Sequence, residues 1–241
     1  MQALIVLWAM IEDYDVLFVL AEISHFTGTA VLVYKLLRVK SCAGLSLKTQ
    51  ELTAIFLAAR LYCSFLMEFD VHTFLDLITL ASTAWVIYTM RAPLKQTYTK
   101  ELDSMKIYYV LVPCALLSLV AHPGTKHWIV NRVVWAFCVY LEAVSVLPQL
   151  RLMQNSKMVE RVTSHYVFAL GVSRFLSCAH WIFQLINGSS YLFKTLGSGF
   201  WPPMVLISEI VQTFILGDFC YYYVKSAIEG TGVMQLPTGV V

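Results

Sequence analysis

Charged residues are scarce in this chain of 241 residues. They make up 13% of the sequence, whereas hydrophobic residues make up 59%. No soluble core needs so many apolar residues, and apolar runs recur along the whole length, so the chain is predicted to be a polytopic helical membrane protein. The formal net charge is only +2 and no dense run of lysine or arginine is present, which argues against a nucleic-acid partner.

Motifs that would indicate an enzyme or a metal protein are also missing. The six cysteines are widely spaced and contain no Cys-x-x-Cys pair, so we interpret them as small packing residues. No spacing of histidines and acids resembles a metal site, and there is neither a nucleotide-binding glycine loop nor a nucleophile elbow. The sequence therefore gives no reason to expect a catalytic residue, a metal or a cofactor.

Seven apolar segments are candidate membrane spans, at approximately 16–37, 51–67, 73–90, 107–121, 128–150, 165–187 and 198–225. The second and the fourth are short. Basic residues concentrate in the first, third and fifth connections and directly after the last span, whereas the other connections carry only Lys126 and Lys194. The positive-inside rule therefore predicts that the odd-numbered connections and the C-terminus are cytoplasmic.

The sequence predicts one domain over residues 16–225 and a shorter segment at each end of the chain. Residues 1–15 are an apolar start that ends in acidic residues, and this stretch could be part of an extra anchor. Residues 226–241 are expected to form a short cytoplasmic tail. Within the domain, Arg60 and Arg174 occupy corresponding spans if two three-helix halves flank a linking fourth helix, an arrangement typical of transporter-like folds.

Ionisable residues inside the spans are the candidate functional residues. A charge at the centre of a spanning helix costs about 2.5–3.5 kcal/mol on insertion scales, so each is a functional hypothesis by default. One alternative is that they form structural ion pairs, such as Glu142 with Arg174. The set comprises Glu22, His25, Arg60, Asp76, Arg132, Glu142, Arg174, Glu209 and Asp218.

The two span arginines suggest a binding cavity. Arg60 and Arg174, flanked by Trp135 and Trp181, could line a polar cavity for an anionic group, because guanidinium groups match carboxylates at two points. A peptide or metabolite carboxylate would suit it. His25 could switch its charge between compartments, since an unperturbed imidazole titrates near pH 6.5. A neutral histidine that is merely hydrogen-bonded in the helix bundle is the alternative.

Several runs of this sequence form a set that extends, in order and nearly without gaps, over roughly residues 15–225. The runs are Ser24-His25, Ser41-Cys-Ala-Gly-Leu-Ser-Leu-Lys-Thr-Gln50, Arg60, Trp135-Ala-Phe, Tyr140-Leu-Glu-Ala-Val-Ser-Val-Leu-Pro-Gln149, Thr163-Ser-His-Tyr166, Val211-Gln-Thr213 and Asp218-Phe-Cys-Tyr-Tyr222. Together these runs resemble the KDEL receptor family, the ER lumen protein-retaining receptors.

The resemblance implies an all-α fold of seven membrane helices, similar to SWEET and PQ-loop sugar transporters, in the ER and Golgi membranes. It implies pH-dependent binding of C-terminal Lys/His-Asp-Glu-Leu signals and return of the cargo to the ER, with coat proteins and membrane lipids as further partners. By position, Arg60 would bind the ligand carboxylate, Trp135 and Trp181 would wall the pocket, and Arg174 would lie beside it. His25 would be the protonation switch. The resemblance further implies that Glu142 belongs to the polar network that locks the bound state and that Asp218 serves the return journey.

This sequence departs from the family pattern mainly at residues expected to touch the ligand. Phe18 replaces an arginine, Arg132 replaces a glutamate that would face the ligand's basic residue, and the tail carries no lysines after Lys225. Such changes are similar to those of the receptor-related branch known from plants. The other departures are Leu61, Cys63, Ser173, Ser177, His180 and Gln184.

The leading hypothesis is therefore a sorting receptor of the ER and Golgi with a remodelled pocket, in which Arg132 would favour an acidic residue at the distal position of the ligand. The alternatives are a receptor-related paralogue that does not bind Lys/His-Asp-Glu-Leu, and a small-solute transporter on the same fold. For the transporter, Glu209 would be a proton-coupled acid. A membrane scaffold without a soluble ligand also remains open.

Overall fold

The described part of the chain is a bundle of helices. The computed structural model describes residues 15–67, 71–156, 159–186 and 200–229, and the apolar start is outside this part except for Asp15. We number the α-helices in chain order. They are α1 (Asp15–Tyr34), α2 (Leu47–Met67), α3 (Val71–Arg91), α4 (Tyr108–Val120), α5 (Ile129–Val144), α6 (Leu147–Asn155), α7 (Arg161–Ile186) and α8 (Trp201–Ile228).

The helices coincide with the seven predicted spans, with α5 and α6 together forming the fifth. Among the described residues, five helical segments are long and apolar enough to cross a membrane: Val16–Val39, Thr73–Arg91, Ile129–Asn155, Arg161–Phe183 and Trp201–Ile228. The other two, α2 and α4, correspond to the two spans that are short in the sequence. Helix α4 has only 13 residues, and α2 begins with charged residues. The fold is thus that of an all-α, multi-pass membrane protein.

The break between α5 and α6 follows from proline chemistry. Pro148 lies in the first turn of α6, where the missing backbone N–H costs no intrahelical hydrogen bond. Helix α5 ends at Val144, so a run that is continuously apolar in the sequence becomes two helices. The final α-helix extends to Ile228, three residues beyond the predicted end of the seventh span at Lys225.

Pairing of the helices places residues from both ends of the sequence side by side. Helix α1 packs mainly against α7, α7 packs against α8, and α2 contacts α3 and α5. The end of α1 is fixed to the start of α7 by Lys35, which is fully buried, forms an ion pair with Glu160 and donates a hydrogen bond to Thr163 Oγ1 at 2.6 Å. A buried ammonium requires such partners.

Buried polar groups also hold the connections together at one end of the bundle. Asp103 accepts hydrogen bonds from Ser46 Oγ at 2.9 Å and from the Tyr98 hydroxyl at 2.6 Å. Gln149, next to the proline, accepts from the backbone N–H of Ser46 at 2.8 Å and donates to the carbonyl oxygen of Gly44 at 2.7 Å. We call these five residues the loop junction. It ties the α1–α2 and α3–α4 connections to α6.

The outward surface suits a lipid environment. Large apolar side chains are exposed on several helices, among them Phe26 at 71% and Phe214 at 76%. A water-soluble monomer rarely shows so much contiguous apolar surface. Inside, two buried apolar clusters form the core. One contains residues of α1, α3, α6, α7 and α8, and the other contains residues of α2, α4, α5 and α8. Residues of the second cluster support the polar site described next.

Candidate functional site

Arg60 is the residue around which the intramembrane charges assemble. Its Nε donates to Asp76 Oδ2 at 2.9 Å and its Nη2 donates to Asp76 Oδ1 at 2.6 Å, which is a two-point ion pair between α2 and α3. Its Nη1 donates to Glu142 Oε2 on α5 at 2.9 Å. The guanidinium carbon also lies 5.5 Å from the ring centroid of Phe56, a favourable cation–π distance.

Glu142 joins the two span arginines. Its Oε2 accepts from Arg60, while its Oε1 lies 2.7 Å from Arg174 Nη1 on α7. The Glu142–Arg174 ion pair that the sequence allows is therefore present. We call Arg60, Asp76, Glu142 and Arg174 the ion cluster. It links four helices, α2, α3, α5 and α7, and its side chains are only 12% to 26% exposed.

Charge balance makes this arrangement tolerable in an apolar bundle. Two guanidinium groups face two carboxylates, and each charge has at least one partner of the opposite sign within 3 Å. Removing one partner from a buried ion pair is costly, about 3–5 kcal/mol, because it leaves an uncompensated charge. The cluster therefore has a structural role whatever else it does. Because guanidinium groups bind carboxylates at two points, the same four residues can also exchange an internal carboxylate for one from a ligand.

Two further titratable residues, His25 and Glu209, lie near the ion cluster. His25 on α1 is half-buried and interacts electrostatically with Arg174, Glu142 and Arg60. Glu209 on α8 interacts with the same three residues, and its Oε2 lies 3.5 Å from Ser177 Oγ. Protonation of either residue would thus change the net charge of the site.

The two predicted pocket tryptophans lie beside the cluster without belonging to it. Trp135 on α5 and Trp181 on α7 are half-buried and pack against the apolar cluster that includes Phe56, the residue under the Arg60 guanidinium. Trp135 is seven residues before Glu142 and therefore lies about two helical turns away on the same face. Both tryptophans thus pack against the same apolar cluster that supplies the ring beneath the Arg60 guanidinium.

Arg132 lies apart from the ion cluster. It precedes Glu142 by ten residues, about 15 Å along the helix axis. Its Nη2 is 3.1 Å from His122 Nδ1, and its Nε donates to the carbonyl oxygen of Pro123. The structure therefore places this charge toward the α4–α5 connection. Asp218, half-buried on α8, follows Glu209 by nine residues and is likewise about 13 Å further along its helix.

The residues that depart from the family pattern occupy several environments. Ser173 is buried, Ser177 contacts Glu209, and the buried His180 ring lies 5.8 Å from the ring of Phe18. Cys63 Sγ lies 3.7 Å from the backbone oxygen of Asn131 on α5. The side chain of Gln184 is outside the described part. Positions 173 and 177, on either side of Arg174 in α7, thus carry small side chains.

Asp76 is the functional-site residue that sequence reasoning left without a role. A usable signal existed, because Arg60 and Asp76 are nearly equidistant from the short connection between α2 and α3. Residues equidistant from a tight helical turn lie at the same depth in an antiparallel pair. An arginine and an acid at equal depth in apolar helices predict an ion pair.

Metal binding has no support in the described ranges, where no group of three or more histidine, cysteine, aspartate or glutamate residues is placed to hold an ion. The helices and the ion cluster together define a multi-pass membrane protein with a polar, arginine-containing centre.

Comparison with known proteins identifies the family. A family model described as "ER lumen protein retaining receptor" matches residues 41–184, a range that contains the whole ion cluster. The chain belongs to the ER lumen protein-retaining receptor family, which confirms the resemblance seen in its motifs.

Similar proteins come from distant organisms and are matched over nearly their full length. The chain is 34% identical to the "ER lumen protein-retaining receptor" of Drosophila melanogaster over 217 residues, covering 90% of this chain and 96% of that protein. It is 34% identical over 221 residues to "ER lumen protein-retaining receptor B" of Arabidopsis thaliana, with the same coverage. The Entamoeba histolytica relative is 31% identical over 212 residues, 88% of this chain and 94% of that protein.

Proposed function

We propose that this protein is a sorting receptor of the ER and Golgi membranes. It binds C-terminal Lys/His-Asp-Glu-Leu-like signals and returns the proteins that bear these signals to the ER. The observation that carries the proposal is the ion cluster, in which Glu142 joins Arg60 and Arg174. Two guanidinium groups on one internal carboxylate form a site where a ligand carboxylate can enter by exchange. The relatives are named as ER lumen protein-retaining receptors, which supports the proposal that this protein is a receptor.

The proposed binding mode assigns one task to each part of the site. Arg60 binds the terminal carboxylate of the ligand and Arg174 lies beside it, while Trp135 and Trp181 supply apolar walls. Their packing on the cluster that includes Phe56 supports this arrangement. Aromatic residues beside a charged centre are typical of small-ligand sites, in which a few polar groups fix the orientation of a mainly apolar contact.

Outer parts of the ligand and the return step involve residues away from the cluster. Arg132 faces the distal ligand residue and favours an acidic one there. Its distance from Glu142 along α5, about 15 Å, slightly exceeds the roughly 14 Å that an extended peptide of four residues can span, and the long Arg132 side chain can bridge the difference. Asp218 belongs to the return journey to the ER.

Acid pH strengthens binding in this proposal. The groups that face His25 are Arg174 on α7, Glu142 on α5 and Arg60 on α2, and Glu209 on α8 faces the same charges. With His25 neutral and Glu209 ionised, two positive charges oppose the three negative charges of Asp76, Glu142 and Glu209. Each proton added to either residue makes the site more positive, and a positive site binds an anionic ligand better.

Orientation in the membrane follows from the basic connections. The loop junction and the C-terminal end of α8 are cytoplasmic, and the α4–α5 connection with Arg132 is lumenal. The receptor domain covers residues 16–225, residues 1–15 precede it as an apolar start, and residues 226–241 follow it on the cytoplasmic side. Coat proteins meet this cytoplasmic side.

A binding measurement tests the proposal. Labelled peptides ending in Lys-Asp-Glu-Leu or His-Asp-Glu-Leu, and a version with an acidic first residue, are titrated against the purified protein at pH 5.5 and 7.4. Binding at pH 5.5 that is weakened at least tenfold at pH 7.4, and lost in Arg60→Ala, is expected. If none of these peptides binds the folded protein at either pH, the proposal is wrong.

The second candidate is a receptor-related protein that does not bind Lys/His-Asp-Glu-Leu. The observation that favours it is the pairing of Arg60 with Asp76, because both points of the guanidinium fork are already occupied. A solute carrier on the same fold is a third possibility, for which Glu209 would supply the proton. Uptake of a sugar or an amino acid into liposomes, lost in Glu209→Gln, would select the carrier.

A further inference from the structure

A long apolar groove lies between α7 and α8. Its volume is about 750 Å³. Cavities that hold small molecules in proteins measure about 300–1,000 Å³, so the groove is large enough for one ligand. None of the four residues of the ion cluster lines it, and the receptor function proposed above makes no use of it.

Two glycines create the groove. A Cβ atom on Gly171 would clash with Cys220 Sγ, so α7 and α8 are in close contact at this point. A Cβ atom on Gly217 would meet no atom within 4 Å, so the missing side chain leaves open space. Phe168 forms one wall and is held by stacking on Tyr223, with ring centroids 4.2 Å apart. The walls of the groove are therefore formed by groups that are held in place by their own contacts.

The charged groups of the groove are at one end. Lys225 on α8 and Glu229, directly after the last residue of α8, are exposed and lie four positions apart. At the opposite end, the hydroxyl of Thr213 donates to the carbonyl oxygen of Glu209 at 2.8 Å and lies 3.5 Å from the carbonyl oxygen of Arg174. The side chains between these ends are mainly apolar, such as the exposed Phe175 and Val224.

The position and length of the groove match a bilayer lipid. Both helices contribute segments that can cross a membrane, Arg161–Phe183 and Trp201–Ile228. Thr213 and Glu229 are sixteen positions apart, which corresponds to about 24 Å of helix rise and is less than the roughly 30 Å thickness of a hydrocarbon core. An amphiphile with an apolar chain and a charge at one end has the same distribution of polarity as the groove.

We propose that this groove binds one acyl chain of a membrane glycerophospholipid, whose phosphate is bound by Lys225. Glu229 beside Lys225 favours a headgroup that carries an amine as well as a phosphate, which is phosphatidylethanolamine, over headgroups with several negative charges. A lysine ammonium is a compact point charge suited to a single phosphate. The proposal concerns α7 and α8 alone and does not depend on which peptide the ion cluster binds.

Photolabelling of the full chain tests the proposal. The protein is reconstituted in phosphatidylcholine vesicles that contain a small fraction of phosphatidylethanolamine with a diazirine on its acyl chain, and labelled peptides are mapped after irradiation. Label is expected in 168–176 and 213–228. Gly217→Leu fills the hollow and is expected to reduce this label at least fivefold, whereas Ala227→Leu, an exposed site on α8 outside the lining, leaves it unchanged.

The headgroup is tested separately. Lys225→Ala is expected to reduce the label at least threefold and Lys225→Arg to restore it, while a diacylglycerol probe without phosphate labels the groove weakly in every variant. Elution profiles and unfolding temperatures establish that each variant is folded. If Gly217→Leu does not fold, the distribution of label along the wild-type chain decides whether the proposal stands.

Three results would overturn the proposal. One is label spread evenly over the outward faces of all helices, and another is groove label that survives in folded Gly217→Leu. The third is label that disappears as the protein-to-lipid ratio rises, because a second copy would then cover the groove.

Discussion

The guanidinium of Arg60 and the carboxylate of Asp76 form a two-point ion pair across α2 and α3, with nitrogen–oxygen distances of 2.9 Å and 2.6 Å. The remaining terminal nitrogen of Arg60 is bound to Glu142. A carboxylate that enters this site must therefore exchange with a carboxylate of the protein itself. The site is therefore preformed, but it is occupied by carboxylates of the protein and is not open.

Removal of the competing charge should strengthen ligand binding. In Asp76→Asn, Arg60 keeps a neighbour of the same shape but loses its charged partner. We expect the affinity for a Lys/His-Asp-Glu-Leu-like peptide to rise about tenfold, or 1.4 kcal/mol. Peptide titrations by fluorescence anisotropy measure this, and a peptide with an amidated C-terminus is the control that should show no gain. Equal or weaker binding of the free acid by folded Asp76→Asn would contradict the exchange model.

Loss of Glu142 should destabilise the bundle, since Arg60 and Arg174 would then share no counter-charge. We expect Glu142→Gln to lower the free energy of unfolding by about 3–5 kcal/mol. Unfolding in detergent measures it. Glu101→Gln, at an exposed position in a connection, should change it by less than about 0.5 kcal/mol. The double variant with Arg174→Leu should recover part of the loss, which a double-mutant cycle quantifies.

The sequence predicted correctly those features for which the membrane leaves a residue few possible environments. Apolar runs define helices because backbone groups cannot remain unpaired in lipid, so the segments are predictable even though their ends shift by a few residues. The Glu142–Arg174 pair follows from the cost of isolated charges. The break at Pro148 was not predicted, because the apolar run continues through it and periodicity alone does not show where a helix is interrupted.

The partners within the site were harder to predict, because they depend on the depth and rotation of several helices. Asp76 was recognised as a span acid, but its pairing with Arg60 depends on the length of the α2–α3 connection. The contact of Arg132 with Pro123 depends on how the α4–α5 connection folds back. The loop junction around Gln149 combines residues more than 100 positions apart, which no local pattern in a single sequence indicates.

The charge of Arg132 should determine the preferred residue at the distal ligand position. We expect the wild-type protein to bind Glu-Asp-Glu-Leu about threefold to tenfold better than Lys-Asp-Glu-Leu, and Arg132→Glu to invert this order, because like charges repel. A peptide panel at pH 5.5 measures the ratio. Lys126→Glu makes the same change of charge at an exposed site in the α4–α5 connection, just before the helix that carries Arg132, and should leave the order intact. An order that Arg132→Glu leaves unchanged would remove the residue from the ligand site.

The loop junction should show a pH dependence at Tyr98. Burial, together with the hydrogen bond to Asp103, raises the pKa of the Tyr98 hydroxyl above its ordinary range. The folded state then keeps a proton that the unfolded state loses above about pH 10, so this contribution to stability is present below pH 10 and decreases as the pH rises.

A comparison with Tyr98→Phe isolates that contribution. The variant lacks the hydrogen bond, worth about 1 kcal/mol, and should be less stable at pH 8. The difference should shrink when both proteins are unfolded at pH 10.5. A constant difference would show that the hydroxyl does not titrate in this range in either state.

The central claim is that a ligand carboxylate enters the ion cluster together with a proton. Calorimetric titration of a Lys-Asp-Glu-Leu peptide in buffers with different ionisation enthalpies, at pH values from 5.5 to 7.4, gives both the affinity and the number of protons taken up. We predict tighter binding at pH 5.5, uptake of about one proton near neutral pH, and loss of both in the His25→Ala, Glu209→Gln double variant and with the amidated peptide. Binding of equal strength at both pH values, with no proton uptake, would contradict the account.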